Sequence, residues 1–364
     1  MTDLIPAHPD TTPHPGEHLK DYLDSLGMSQ SEFCRRAGVS EKHVSQIIGG
    51  KAGITADMAV TIERVLGGGA AMWVNLDAAY RLHQAREHQA QIVAESVDWA
   101  GRFPVSDLRA RGIVQAKRKG PAVVEELIRF FAVAGPEEWD EVYGVATARY
   151  RQSTAYAASP YAQAAYLRLC ELKADLEDLP AFDRTGLESA LKTVRERLAE
   201  EPQELLEDAR RLLRPCGVAL VTERALSGSR LSGAAFWPRR NRAIIALTGR
   251  FKTADHLWFS FFHEAAHLLL HKDRDVLEVD DGGGDLENEA DSFAREMLIP
   301  ATVYDELTAG DALTLPVIRS VAQENALPID SLIGMLQHDG WLGHGSYREL
   351  KRPVELCRAE VPSA

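Results

Sequence analysis

Two histidines and a glutamate in the segment FFHEAAHLLLH, residues 261–271, have the types and spacing of a metal site. On a helix, His263 and His267 lie on one face one turn apart, so both imidazoles can reach one ion. Glu264 can reach a water on that ion. Zinc suits this set, because neutral imidazole is a good zinc ligand and a catalytic site keeps one position open for water. The competing interpretation is a buried apolar helix with polar interruptions.

Zinc lowers the pKa of a bound water, and a neighbouring carboxylate can take its proton and pass it to a leaving amine. Such a site needs a third protein ligand, and His271 is the nearest candidate in the sequence. Three histidines over residues 263–271 span about 12 Å of helix axis, which is too far for all of them to bind one ion. We therefore predict that His271 ends the helix or contacts a ligand without binding the metal.

A second amphipathic helix is predicted over LENEADSFAREMLIP, residues 286–300, from apolar residues at helical spacing. Glu287 and Asp291 share a face, so Glu287 can be the third ligand while Asp291 accepts a hydrogen bond from a ligand histidine. Glu289 flanks the other edge of the apolar stripe, and periodicity alone does not choose between Glu287 and Glu289. A solvated acidic helix N-terminus would also explain these carboxylates.

The segment SQSEFCRRAGVSEKHVSQIIGGK, residues 29–51, has the length and punctuation of two short helices joined by a tight turn. In a helix-turn-helix the second helix lies in the major groove, with its first turn pointing at base edges. The competing interpretation is a helical bundle that docks a partner or a second copy, since residues 14–66 contain six basic and seven acidic residues. The predicted DNA-binding residues are Gln30, as a phosphate contact, and Ser40, Lys42, Ser45 and Gln46.

The pattern along the chain predicts a mainly α protein with a small β-sheet. Ser29, Ser40 and Thr55 stand where helix N-caps are expected. Strand patterns occur only near 217–222, 233–238 and 242–249. The predicted segments are a disordered leader over 1–13, an all-α helix-turn-helix bundle over 14–90, a helical middle region over 91–204, an α+β zinc domain over 205–305 and a helical extension over 306–364.

Composition sets further limits on function. With 45% hydrophobic and 26% charged residues, and no apolar run of about 20 residues, the chain is expected to be soluble and to have no membrane role. The scattered cysteines, and an N-terminus unlike a signal peptide, favour free thiols and a cytoplasmic location. The formal net charge of −13 means that any DNA contact must be local.

The N-terminal segment from His14 to about Arg86 resembles the HigA-type antitoxins, which have a Xre/Cro-like helix-turn-helix. Its HPGE opening and WVNLDAAY ending are more specific than the helix-turn-helix itself. The resemblance implies binding to operator DNA as a homodimer.

HEAAH, followed by ENEAD and FAREMLIP, resembles the ImmA/IrrE (M78-like) metallopeptidases, a gluzincin-like family that cleaves repressor proteins. The resemblance covers roughly residues 205–305. In related zinc peptidases with ExxxD, the first acid binds the metal and the aspartate stands behind it. The matching positions here are Glu287 as the ligand and Asp291 as its support. The resemblance thus implies one Zn²⁺ per chain on His263, His267 and Glu287.

These observations predict a cytoplasmic zinc endopeptidase and DNA-binding regulator that cleaves a Xre-family repressor, with Glu264 as general base. We expect the strand RAIIALTG to align an extended substrate by edge addition. Tyr304, His256 and Arg240 are open candidates for the oxyanion partner. The alternative is a toxin–antitoxin component, either a HigA-like repressor whose zinc domain senses or is inhibited, or a zinc-peptidase toxin.

Overall fold

The structure is a computed structural model that describes residues 14–150, 158–174, 179–239, 241–250, 252–271, 285–310 and 313–355, and only the backbone of 144–150 and 239. The predicted leader over 1–13 and the candidate Arg240 lie outside the described residues. The chain divides between Ser96 and Val97 into two compact units.

The first unit is a helical bundle. Its helices are α1 Pro15–Ser25, α2 Gln30–Ala37, α3 Glu41–Ile48, α4 Ala56–Leu66 and α5 Ala70–Glu95. The hydroxyls of Ser29, Ser40 and Thr55 each accept a hydrogen bond from the backbone N–H three residues later, at 3.2 to 3.3 Å. The three N-caps are therefore confirmed, and each supplies an acceptor for an N–H that the first helical turn leaves unpaired.

The core of this bundle draws apolar side chains from every one of its helices. Gly38 ends α2 in the left-handed conformation, with φ 69°, which a residue without a side chain adopts at little cost. In α5, Asp77 accepts a hydrogen bond from the Ile54 backbone N–H at 3.0 Å and so fixes the loop before α4. The buried core includes Leu19, Leu23, Phe33, Val44, Ile47, Met58, Ile62 and Trp73.

The second unit combines helices with a three-stranded sheet. Its helices are α6 Val97–Ala100, α7 Val105–Ala110, α8 Pro121–Phe131, α9 Pro136–Tyr150, α10 Pro160–Ala174, α11 Arg184–Glu196, α12 Pro202–Leu213, α13 Ala254–Leu270, α14 Asp285–Leu298, α15 Ala301–Thr308, α16 Leu315–Glu324 and α17 Ile329–His338. Its strands are β1 Val218–Thr222, β2 Gly233–Arg239 and β3 Arg242–Leu247, and single 3-10 turns span Arg214–Cys216 and Arg348–Leu350.

The strand order is β1-β3-β2, with β1 parallel and β2 antiparallel to β3. The prediction that RAIIALTG is an open edge was therefore wrong, because β3 is the central strand and β2 is the edge strand beside the zinc motif. The burial of β3 gives the physical reason. Its residues Ala243–Leu247 are all buried, as expected for a strand covered on both faces.

Helix α13 contains the HEAAH motif and packs against β2, β3, α14 and α17. Its side chains Trp258, Phe261, Phe262 and Ala265 are fully buried, which fixes the helix against the sheet. The C-terminal segment holds the start of α13, since Thr253 bridges to Pro353. These contacts leave the opposite face of α13 available to line a cavity.

The predicted fold class is confirmed: the protein is mostly helical with a small sheet. Helix α10, from the predicted middle region, packs against β1 and β3 within the second unit. The segment boundaries at 90, 204 and 305 stay predictions. The three cysteines that the structure describes, Cys34, Cys170 and Cys216, are buried and form no disulfide. In the part of the chain that the structure describes, no helix has the length and apolar character needed to cross a membrane.

Candidate metal centre

Three predicted ligands meet between α13 and α14. The Nε2 atoms of His263 and His267 are 3.1 Å apart. The carboxylate of Glu287 lies 3.1 Å from the first through Oε2 and 3.2 Å from the second through Oε1. Among the described residues, these three form the only group of His, Cys, Asp and Glu with ligand atoms close enough to hold a metal ion.

The donor set fits zinc. Two imidazole nitrogens and a carboxylate are a ligand combination found in zinc enzymes, and each donor binds zinc at about 2.0–2.2 Å. Tetrahedral donors at that radius lie about 3.3 Å from one another. The separations of 3.1 and 3.2 Å between the three donors match that spacing. The site is therefore formed by side chains already oriented toward one point.

Asp291 lies behind His263 and not among the metal-facing atoms. Its Oδ1 is 2.8 Å from His263 Nδ1, on the ring edge opposite Nε2. With Nδ1–H donated to a carboxylate, the lone pair of a neutral His263 is left on Nε2. Asp291 thus fixes the ring orientation and the tautomer that a metal ligand requires.

His271 and Glu289 lie in a corresponding place behind His267. His271 Nδ1 is 3.1 Å from His267 Nδ1, and His271 Nε2 is 3.1 Å from Glu289 Oε2. His271 is the C-cap of α13, and its side chain is only 8% exposed. Glu289 therefore contacts His271 and not the three metal-facing atoms.

Glu264 lies beside this centre and is buried, with 8% of the residue exposed. Burial is the main cause that raises the pKa of its carboxyl to about 7, and the negative charge of Glu287 adds to it. His263, His267 and a hydrogen bond from the Ala235 backbone N–H act in the opposite direction. A carboxyl with this pKa can accept and release a proton near neutral pH.

His263 and Glu287 each shift the pKa of the other. Burial lowers the pKa of His263, but its hydrogen bond to Glu287 and the charges of Glu264 and Asp291 outweigh burial and raise it to about 9. Burial raises the pKa of Glu287, but hydrogen bonds from His263 and His267 outweigh it and lower the pKa to about 2. The centre therefore attracts a positive charge, either a proton or a metal cation.

A cavity of about 550 Å³ opens on these residues. Its floor is one face of α13, from Asp255 to His271. Strand β2 contributes residues from Gly233 to Trp237, while α14 and α17 contribute Glu287, Arg295, Ser331, Gly334, Met335 and His338. The metal centre thus lies in a groove bordered by a sheet edge.

The structure describes two of the candidates for the oxyanion partner, His256 and Tyr304, and they have different surroundings. His256 lines the cavity. The Tyr304 hydroxyl donates a hydrogen bond to Asp339 Oδ2 at 2.6 Å, and Asp339 also accepts from Arg295. The sequence pattern did not reveal the Arg295–Asp339 pair, because the two residues are 44 positions apart.

Gly233 is a further site residue that the sequence pattern did not reveal. A Cβ on this residue would lie 2.5 Å from Glu264 Oε1 and 2.8 Å from its Cγ. The glycine at the start of β2 therefore leaves space for the Glu264 carboxylate. Such a glycine inside a strand pattern is a signal of close approach.

The predicted DNA-binding residues lie at the start of α2 and along α3. Lys42 and Ser45 are exposed, and Gln46 is half-buried one turn after Lys42. Gln30 donates a hydrogen bond from Nε2 to the Glu41 backbone oxygen at 3.3 Å, so it joins α2 to the start of α3. The Ser40 hydroxyl caps α3. The bundle therefore presents Lys42, Ser45 and Gln46 on one helix face.

Comparison with known proteins found similarity in both parts of the chain. The helix-turn-helix family matches residues 19–71, and the IrrE N-terminal-like domain, Peptidase_M78, matches residues 218–315. Virulence-associated protein I of Dichelobacter nodosus is 36% identical over 91 residues, which cover 24% of this chain and 84% of that protein. The helix-turn-helix-type transcriptional regulator YddM of Escherichia coli (strain K12) is 35% identical over 75 residues, 21% of this chain and 80% of that protein.

Two solved structures are also similar to part of the chain. An addiction module antidote protein of a HigA family from Coxiella burnetii is 28% identical, covering 23% of this chain and 92% of that one, with a TM-score of 0.22. The Pseudomonas aeruginosa antitoxin HigA, solved with the higBA promoter, is 32% identical, covering 22% of this chain and 89% of that one, also with a TM-score of 0.22.

Proposed function

We propose that this chain, which belongs to the helix-turn-helix family in its N-terminal part and carries an IrrE N-terminal-like domain, is a zinc-dependent endopeptidase that also binds operator DNA. The observation that carries the peptidase proposal is the convergence of His263, His267 and Glu287 beside the buried Glu264 in one groove. The metal donors, the general base and the space for a substrate therefore lie in one site.

In this proposal His263, His267 and Glu287 hold one zinc ion. Bound zinc supplies Lewis acidity, which lowers the pKa of a water and polarises a peptide carbonyl. Glu264 takes the proton from the attacking water and passes it to the leaving amine. In the metal-free protein burial raises the pKa of Glu264 to about 7, so its carboxyl can exchange protons near neutral pH. Asp291 holds the His263 ring through Nδ1 while these steps occur.

The groove suits an extended peptide. The face of α13 from Asp255 to His271 spans 16 residue steps, about 24 Å of helix axis. A strand that rises about 3.4 Å per residue would place about seven residues along it. Strand β2 borders the groove and pairs with β3 on one side, so its other edge can add a peptide strand. We therefore expect cleavage in an extended segment.

The proposed substrate is a Xre-family repressor, and the N-terminal bundle provides the reason. A protein with its own helix-turn-helix can bind the operator that such a repressor occupies, or dimerise with a similar domain. Lys42, Ser45 and Gln46 share one face of α3 and can reach base edges in a major groove. The proposed homodimer would contact two half-sites.

A second candidate function is a regulator of the toxin–antitoxin type, in which the zinc domain senses a signal or is inhibited. The match of the N-terminal part to helix-turn-helix proteins, including one that is named a transcriptional regulator, favours it. Glu264→Gln separates the two functions. If the chain acts as a regulator, Glu264→Gln should still repress transcription. If it acts as a peptidase, Glu264→Gln should no longer lower the amount of the repressor protein.

Cleavage of a purified repressor tests the proposal. The full chain, loaded with zinc, is mixed with purified Xre-family repressors from the same organism, and the products are identified by mass spectrometry. We expect wild-type cleavage and a rate lower by about 10²–10⁴-fold in zinc-loaded Glu264→Gln. Glu306→Gln, an exposed carboxylate on α15, is the matched control and should match wild type. Equal cleavage by Glu264→Gln and wild type would contradict the role of Glu264.

A further inference from the structure

The two ligand histidines each have a partner on the ring edge that faces away from the metal centre. His263 has Asp291, which the ExxxD pattern predicts. His267 has His271, at 3.1 Å between the two Nδ1 atoms, and His271 continues to Glu289 at 3.1 Å. The row from His267 through His271 to Glu289 is thus the counterpart of the Asp291 contact.

Metal binding at His267 would set the direction of every hydrogen bond in this row. A neutral His267 that offers the Nε2 lone pair to a metal must carry its proton on Nδ1. That proton is then donated to His271, so His271 Nδ1 must be an unprotonated acceptor. A neutral His271 then has its proton on Nε2, and this proton is donated to the carboxylate of Glu289. Each ring carries one proton, and each contact has one donor and one acceptor.

We infer that His271 and Glu289 are positioning residues of the metal site, which fix the ring angle and tautomer of His267 without binding the ion. The inference rests on the proposed zinc site. Two observations support it beyond the distances. The His271 side chain is 8% exposed, so its contact with His267 is shielded from water. His271 also ends α13, where its backbone N–H donates to the His267 carbonyl oxygen. Backbone and side chain therefore both fix His271 relative to His267.

Zinc affinity of the full chain, measured by competition with a chromophoric chelator, tests this role without any peptidase assay. Loss of an outer partner of a ligand histidine typically weakens metal binding by about 10- to 100-fold. We expect a loss in that range for His271→Ala. His271→Asn should retain part of the affinity, because its amide oxygen can replace Nδ1 as acceptor. Glu289→Gln should give a smaller loss, since Glu289 is 59% exposed.

His338→Ala is the matched control, because His338 lines the same cavity from α17, is 80% exposed and contacts Asp339 at 3.1 Å. Its zinc affinity should equal wild type. The absorption spectrum of the Co²⁺-loaded protein adds a second readout. In His271→Ala it should retain the wild-type band pattern, whereas loss of a nitrogen ligand would show that His271 binds the metal.

Wild-type zinc affinity in His271→Ala would overturn the inference. An equal loss in His338→Ala would also overturn it, because the effect would then be general. If His271→Ala does not fold, His271→Asn and Glu289→Gln decide the question by the same assay. A wild-type chain that takes up no zinc would instead refute the proposed metal site, so the two failures are distinguishable.

Discussion

The carboxylate of Glu264 occupies the space that a side chain on Gly233 would need. A Cβ at position 233 would lie 2.5 Å from Glu264 Oε1, well inside van der Waals contact. The backbone N–H of Ala235, two residues along β2, donates a hydrogen bond to the same carboxylate. The first residues of the edge strand therefore determine where the proposed general base can lie.

Gly233→Ala should impair catalysis and leave metal binding intact. The atoms in conflict are at the end of a flexible side chain, so Glu264 should move and the sheet should remain. A displacement of about 1 Å at a reacting group costs about 10²-fold in rate. We expect kcat to fall by about that factor, with KM and zinc content near wild type. Steady-state kinetics with the repressor as substrate would measure the effects on kcat and KM separately.

Gly310→Ala is the control for the glycine substitution. A Cβ there would meet the Leu307 backbone oxygen at 3.5 Å, an ordinary contact, and we expect wild-type kinetics. If Gly233→Ala also retained wild-type kcat, the proposed restraint of Glu264 by β2 would be wrong.

Zinc binding should release a proton near pH 7. His263 has a pKa raised to about 9 by Glu287, Glu264 and Asp291, so it is protonated in the metal-free protein. A metal ligand must be neutral, and the proton has to leave. Glu287, with a pKa of about 2, is already ionised and releases none. Apparent affinity should therefore rise with pH up to about 9.

Calorimetry in two buffers of different ionisation enthalpy measures this release. We expect on the order of one proton per zinc at pH 7. A binding enthalpy that does not depend on the buffer, with an affinity that is flat between pH 6 and 9, would contradict the charge state assigned to His263.

Gln46 and Lys42 are proposed DNA contacts, and substituting each should change DNA binding in a different way. Gln46→Ala removes a candidate base contact and should weaken binding to a selected operator by about 1–3 kcal/mol, with little effect on random DNA. Lys42→Ala removes a positive charge at the interface, so binding should weaken on operator and on random DNA and should depend less on salt. Lys20→Ala on the exposed side of α1 is the control. Fluorescence anisotropy at several salt concentrations measures both. Equal losses on operator and random DNA would remove Gln46 from base recognition.

The C-terminal segment should be required for the stability of the second unit. Arg352 donates to the buried Asp330 at 2.7 Å and to the Leu198 backbone oxygen at 2.9 Å. Arg352→Ala leaves Asp330 as an unpaired buried charge, which typically costs about 3–5 kcal/mol. Asp330→Asn in the same chain should recover part of that loss. Hydrogen exchange of the β3 amides measures the effect, and an unchanged exchange rate in Arg352→Ala would contradict it.

Apolar residues at helical spacing predicted α13, α14 and the helix-turn-helix, and serine N-caps marked the helix starts in the helix-turn-helix. It also placed Glu287 and Asp291 on one face, although the choice of Glu287 over Glu289 came from a family resemblance. The prediction that β3 is an edge strand was wrong, because β1 pairs with β3 and β2 is left at the edge of the sheet. The order of strands in a sheet cannot be predicted from short apolar runs. Contacts such as Arg295–Asp339 join residues far apart in the chain, so only the folded structure reveals them.

The metal centre is the claim on which the proposed chemistry depends, and zinc stoichiometry tests it most directly. Wild type and Glu287→Gln are stripped with a chelator, exposed to equal limiting zinc, desalted and analysed by inductively coupled plasma mass spectrometry. We predict one zinc per wild-type chain and far less in Glu287→Gln, because the variant loses the anionic donor that faces both His263 and His267. A wild-type chain without zinc, or a Glu287→Gln chain with one, would contradict the account.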